Sequence, residues 1–200
     1  MIALVDYGVG NLRSVDKALK TVTDEVELTS DPTVILASDK VVLPGVGAFG
    51  DGMTGLKERG LVETLLEIAA SGKPLLGICL GMQLLLERSE EMGLHEGLGL
   101  LPGRVRRFES TDLKVPQTGW NQIHAVRENP LLNGLEMGAY AYFNHSFYCD
   151  ASDEETLAHT DYGIRYASVV ASDHLYGVQF HPEKSQRVGL TILRNFVELC

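Results

Sequence analysis

The segment Gly77-Ile78-Cys79-Leu80-Gly81 sets a cysteine between two glycines at the end of an apolar run, which is how α/β proteins present a nucleophile. Pro74–Ile78 reads as a buried strand and Met82–Glu87 as the first turns of a helix, so Cys79 falls on the sharp turn between them. The flanking glycines permit that turn. Backbone N–H groups at the start of a helix favour a cysteine thiolate and can receive developing negative charge. Its partners stand far along the chain, in His181-Pro182-Glu183, after a strand predicted over Leu175–Phe180 that Pro182 should end. Residues two apart in an extended segment point the same way, so Glu183 can hold the His181 imidazole in the tautomer that takes a proton from Cys79. Alone, a His-x-Glu is an ordinary polar pair. The elbow makes it the base and orienting carboxylate of a Cys79-His181-Glu183 triad.

Short apolar strands are predicted at Met1–Asp6, Glu25–Thr29, Lys40–Leu43 and Pro74–Ile78, separated by segments with helical spacing. That alternation implies an α/β fold, an open, mostly parallel sheet with helices on both faces. Asn11 is placed to cap a first helix whose Leu12, Val15, Ala18 and Leu19 share a face, and Asp31-Pro32 starts a short second one. Gly103–Phe108, Gln122–Val126, Tyr140–Phe143, Thr156–Thr160, Ile164–Ala171 and Leu175–Phe180 predict an antiparallel or mixed extension. Ser185 stands before a last helix that turns Val188, Ile192, Leu193, Phe196 and Val197 to the core. With no repeat, low-complexity stretch or linker, residues 1–200 read as one domain.

A chain of 200 residues with 44% hydrophobic content can bury a substantial core, and no stretch is apolar enough to cross a bilayer. Met1–Asp6 lacks the basic start of a secretion signal, so cytoplasm is expected. Of the three cysteines, Cys149 and Cys200 read as bystanders, and no disulfide framework is expected. The net charge of −10 repels nucleic acid and anionic membranes. Arg104-Val105-Arg106-Arg107 is the best basic cluster and reads as a solvated strand edge. His95, His124, His159 and His174 show no metal-ligand spacing, and Gly8-Val9-Gly10-Asn11 lacks the dinucleotide and phosphate-loop patterns, so neither metal nor cofactor is expected.

The late His-Pro-Glu and the cysteine in Gly-x-Cys-x-Gly resemble class I glutamine amidotransferases. Asp6-Tyr7-Gly8-Val9-Gly10-Asn11, Pro44-Gly45-Val46-Gly47-Ala48-Phe49 and Val115-Pro116-Gln117-Thr118-Gly119-Trp120-Asn121 narrow this to the glutaminase subunits (HisH) of imidazole glycerol phosphate synthases, over essentially the whole chain. Gln117-Thr118 and Asn144 depart from that pattern without touching a catalytic position. The resemblance implies attack by Cys79 on the side-chain amide of L-glutamine, with the oxyanion held by backbone N–H groups. Leu80 is one natural donor, and the Gly45-Val46-Gly47 loop is the source of the second. It further implies a glutamine pocket of Gly47, Gln83, His145 and Ser146. The implied partner is the cyclase subunit HisF, a (β/α)₈ barrel that consumes the ammonia in histidine biosynthesis as a heterodimer, with Asn11, Trp120, Asn121 and Lys184 near the docking face. A core position is the other reading of Trp120, the lone tryptophan. Two other functions stay open: a class I glutaminase serving another synthase, such as that making pyridoxal phosphate, and a non-catalytic regulator that keeps the fold. The Asp6–Asn11 and Pro44–Phe49 stretches argue against the first and the intact triad against the second.

Overall fold

Alternate residues of the first strand go to opposite faces, and both faces are covered. The computed structural model describes residues 1–109 and 113–200. In β1 (Ile2–Val5), Ile2 and Leu4 join one apolar cluster while Ala3 and Val5 join another, the division that period-2 geometry demands of a strand buried on both sides. The first cluster takes in α1 (Leu12–Leu19) through Val15, Ala18 and Leu19, and α6 (Gln186–Leu199) through Ile192, Leu193 and Phe196. The second takes in α2 (Pro32–Ala37), α3 (Phe49–Glu58) and α4 (Leu61–Ala70) through Ile35, Leu56, Leu61, Leu65 and Ile68.

The sheet order explains how two distant sequence motifs meet. β2 (Val26–Thr29), β1, β3 (Lys40–Leu43) and β4 (Leu75–Ile78) run parallel, and β13 (Leu175–Val178) joins β4 in parallel, pairing Gly177 with Gly77 and Val178 with Ile78. Cys79 and the His181 turn therefore leave neighbouring strands at the same end. Beyond β13 the sheet continues through β12 (Ile164–Ser172), β10 (Phe147–Asp150), β7 (Leu101–Arg107), β5 (Leu86–Ser89) and β6 (His95–Glu96), mostly antiparallel. β11 (Thr156–Tyr162) pairs with β12 and with β8 (Gln117–Ala125), which pairs with β9 (Ala139–His145) and sets Trp120 opposite Tyr142.

Five expectations change. The helix expected over Met82–Glu87 is only α5 (Leu80–Leu84), after which the chain becomes β5. Its final carbonyls are captured from the side: Leu98 N–H donates to Leu84 O at 2.9 Å, and those of Leu100 and Leu101 donate to Leu85 O, each at 2.9 Å. β5, β6 and β10 were not legible as strands, and β8 starts five residues before the expected Gln122. Arg104–Arg107 is not an edge, because β7 lies between β10 and β5; Arg104 and Arg106 pair with Asp150, each at 3.5 Å. Asn11 and Ser185 occupy the capping positions but neither side chain caps; Asp31 does, accepting from Thr33 N at 2.8 Å. Trp120 is 47% exposed, which removes the core reading.

Candidate active site

Cys79 carries φ 53° and ψ −108°, a positive-φ conformation at a non-glycine residue that surrounding contacts must hold. Its N–H donates to Val178 O at 2.8 Å, and its carbonyl accepts from Gln83 N at 3.2 Å. The flanking glycines are needed for close approach. A β-carbon on Gly81 would lie 1.8 Å from Leu43 O, and one on Gly77 would lie 2.6 Å from Met82 N.

The three residues of the expected triad come together. Glu183 Oε1 is 2.9 Å from His181 Nδ1, with only 3% of the His181 and 1% of the Glu183 side chain exposed. The other imidazole nitrogen is left for Cys79, whose nearness is one of the causes that raise the imidazole. Burial by itself pushes the imidazole down, yet the neighbouring Cys79 and the Glu183 carboxylate outweigh that and hold it up at about 10. His181 N–H is anchored on Tyr142 O at 2.9 Å, and the Ser185 hydroxyl donates to His181 O at 2.7 Å. The second Glu183 oxygen, Oε2, is buried without a hydrogen-bond partner, so the carboxylate is committed to the histidine.

Cys79 opens onto a cavity of about 240 Å³ that Val46, Gly47, Gln83, Glu91, His145 and Ser146 also line. That is below the ~300–1,000 Å³ of sites for drug-sized ligands and suits a single small molecule. A larger cavity of about 640 Å³ lies by Trp120 and the start of α6, but it holds none of the three triad residues. Gln83 is buried and spends its amide nitrogen on Phe147 O at 3.0 Å and Gln179 Oε1 at 3.1 Å. His145 is buried too, and burial pushes it down to about 4, helped by the nearby His181. It is thus neutral at neutral pH, with Nδ1–H donating to Phe147 O at 2.7 Å and Nε2 lying 3.3 Å from the Tyr166 hydroxyl, whose proton goes to Gln117 Oε1 at 2.9 Å.

The expected oxyanion donors are adjacent but not both free. Leu80 N–H donates to Gly45 O at 3.4 Å, a long bond that occupies it. Val46 and Gly47 are exposed, with Gly47 at φ 107°. The loop is pinned just before them, where the buried Tyr7 hydroxyl donates to Pro44 O at 2.6 Å. Around the partner residues, Lys184 Nζ stands 5.5 Å from the Tyr142 ring centroid and Trp120 meets the same ring edge-on at 6.1 Å, while Tyr142 lies 6.5 Å from the His181 ring. Asn121 instead donates to Asp161 O at 2.9 Å, and Asn11 precedes α1, which packs against the Pro182–Lys184 turn.

Four residues of this region escaped the sequence reading. Glu91, hidden in an acidic run, lines the cavity and accepts from Phe49 N at 2.7 Å. Gln179 sat unremarked at the end of a predicted strand, and Tyr166 inside another, although both are buried polar groups bonded to cavity residues. Tyr7 was read only as part of an opening motif. Among the described residues, no group of three His, Cys, Asp or Glu side chains is placed to hold a metal, and no helix is long and apolar enough to cross a membrane.

Residues 3–200 match the family model described as glutamine amidotransferase class-I. The chain is similar to the imidazole glycerol phosphate synthase subunit HisH of Bacillus cereus, at 53% identity over 98% of this chain and 93% of that one. It is similar to the subunit of the same name from Methanosarcina mazei, at 50% identity over 100% of this chain and 98% of that one. Among solved structures, a glutamine amidotransferase superimposes with TM-score 0.78 at 19% identity, covering 99% of this chain and 98% of that one. PurLQS from Thermotoga maritima gives TM-score 0.75 at 19% identity, over 98% and 96%. At those identities the structural likeness speaks for the fold.

Proposed function

The chain belongs to the class I glutamine amidotransferases, and from that premise we propose that it is the glutaminase subunit of an imidazole glycerol phosphate synthase. The observation that carries the chemistry is the buried run Cys79–His181–Glu183 opening onto a cavity sized for an amino acid. Cys79 Sγ attacks the side-chain carbonyl of glutamine. The C–N bond then breaks as His181 gives its proton to the departing nitrogen, releasing ammonia and leaving a glutamyl thioester. Water adds to the thioester, sulfur leaves, and glutamate is freed. Glu183 keeps the imidazole oriented.

Gly47, Gln83, His145 and Ser146 hold the substrate, and the Glu91 carboxylate is placed to meet its α-ammonium. Oxyanion stabilisation falls to Leu80 and to Val46 or Gly47. Since Gly45 O occupies Leu80 N–H, rotation of this loop is what completes the hole, and loss of one such donor costs roughly a hundredfold to a thousandfold in rate. Ammonia passes to HisF, docked on the face carrying Trp120, Tyr142 and Lys184, with Asn11 and Asn121 on its borders. That face adjoins His181, which supports its use for delivery. We place the complex in the cytoplasm, in histidine biosynthesis.

The test is glutamate release by the purified chain, alone and mixed with the cyclase barrel and its nucleotide ligand. A large rise in kcat on mixing is expected. A change confined to KM would speak against a gated oxyanion loop. A complex that forms but releases no glutamate would overturn the assignment, as would full hydrolysis by Cys79→Ala.

A further inference from the structure

Two residues before His181, Gln179 is buried to 0% exposure beneath both the nucleophile and the pocket. Its side-chain carbonyl accepts from Gln83 Nε2 at 3.1 Å and faces the Cys149 thiol at 4.0 Å. Burial holds that thiol up and protonated, so Cys149 is a donor at this contact. Two donors on one oxygen fix the orientation of the amide. Turning it over would set N–H against N–H at Gln83 and leave two buried donors unpaired. Gln179 Nε2 must therefore point the other way, where it lies 3.8 Å from Cys79 Sγ.

The same bond constrains Gln83. A primary amide nitrogen has two hydrogens, and here they go to Phe147 O and Gln179 Oε1. Gln83, a lining residue of the Cys79 cavity, is thus left with its oxygen as the free end. An acceptor suits the NH₂ of a carboxamide and opposes the oxygen of a carboxylate.

We propose that Gln179 is a positioning residue with two outputs: it donates a hydrogen bond to the Cys79 sulfur, and through Gln83 it makes the pocket select an amide over the corresponding acid. The inference rests on the reading of Cys79 as the nucleophile of a glutaminase. A donor to sulfur strengthens when the sulfur is ionised, because hydrogen bonds to charged groups are about twice as strong as neutral ones. The donor thus favours the reactive form of Cys79 and reaches it from the buried side, since Gln179 is fully buried. Discrimination against glutamate follows from an acceptor that cannot invert while Gln179 holds it.

Gln179→Met, close in size but without donor or acceptor, tests both outputs in the complex with the cyclase barrel. Alkylation of Cys79 by iodoacetamide near neutral pH should slow about tenfold, with its pH profile displaced upward by about one unit. The ratio of the glutamate inhibition constant to the glutamine KM should fall about tenfold, because a freed Gln83 can turn its NH₂ toward a carboxylate. A folded variant that keeps both the alkylation profile and the glutamate ratio within twofold of the parent overturns the proposal. Side-chain amide resonances of Gln179 in the unmodified protein give a reading that needs no variant: they should move with the ionisation of Cys79, and a flat response over that titration also overturns it. Neither result bears on Cys79 itself, whose role fails separately if Cys79→Ala still hydrolyses glutamine.

Discussion

Glu183→Gln isolates the charge of the orienting carboxylate while keeping its shape. The carboxylate oxygen lies 2.9 Å from His181 Nδ1, and the two side chains are only 3% and 1% exposed, so water does not screen the pair as it screens surface ion pairs. An opposite charge this close raises the pKa of a histidine by about 1–3 units, and each unit corresponds to about 1.4 kcal/mol. Removing it should therefore bring His181 from about 10 down to about 7–9. The loss to the protonated form is about 1.4–4 kcal/mol. Global stability should fall by less, because the variant no longer buries the unpartnered anionic oxygen Oε2. Ring-proton or ring-nitrogen NMR of His181 across pH 5–11, in parent and variant, measures the shift directly. A His181 titration within about 0.3 unit of the parent would refute the reasoning, and would assign the raised value to Cys79 alone.

Three other outcomes follow from the same contacts. Tyr7→Phe leaves the buried Pro44 carbonyl without its donor, and should lower stability in denaturant titrations by about 1–3 kcal/mol while loosening the loop that carries Val46 and Gly47; an unchanged midpoint would count against the clamp. Gly81→Ala would put a β-carbon 1.8 Å from Leu43 O, a clash with backbone that cannot be relieved by a rotamer, so soluble protein should be lost or destabilised by more than the ~1–3 kcal/mol of ordinary overpacking; a near-native melting temperature would refute it. His145 and His181 shift in opposite directions and should be visible as a stability optimum. The His145 pKa is depressed to about 4 from 6.5, so folding loses stability as pH falls from 6.5 toward 4. The His181 pKa is raised to about 10, so its contribution is complete below 6.5 and is lost as pH rises to 10. Across pH 4–10, denaturation midpoints should lose the acid slope in His145→Asn, while in Glu183→Gln the basic slope should shrink and end near the lowered His181 value of about 7–9 rather than about 10.

The parallel half of the sheet was legible because strands buried on both faces are short continuous apolar runs. β1, β3 and β4 appear within two residues of where their composition puts them. The antiparallel half was legible in outline only. β5 and β6 carry Glu87, Arg88 and Glu96 on exposed positions, and what makes them strands is pairing with each other and with β7 rather than any pattern of their own. The over-long helix after Cys79 is the same failure. Met82–Glu87 has helix-forming residues, and only the arrival of Leu98–Leu101 on its last carbonyls ends it at Leu84. The cap expected at Ser185 was overridden similarly, for its hydroxyl is drawn to His181 O and accepts from Tyr142 N.

For the site, residue type and local spacing were enough to single out Cys79, His181 and Glu183, since a strained elbow and a His-x-Glu turn are encoded within a few residues each. What the sequence by itself could not decide was anything set by contacts between distant segments. Glu91 reaches the cavity, Gln179 joins the nucleophile to Gln83, and Gly45 O occupies the N–H of Leu80 only because β4, β13 and the Pro44–Phe49 loop end side by side. Local chemistry is written in short stretches of chain. The direction of a buried amide, the partner of a carbonyl and the pKa of an imidazole are properties of the low-dielectric space between stretches, which exists only after the sheet has closed over them.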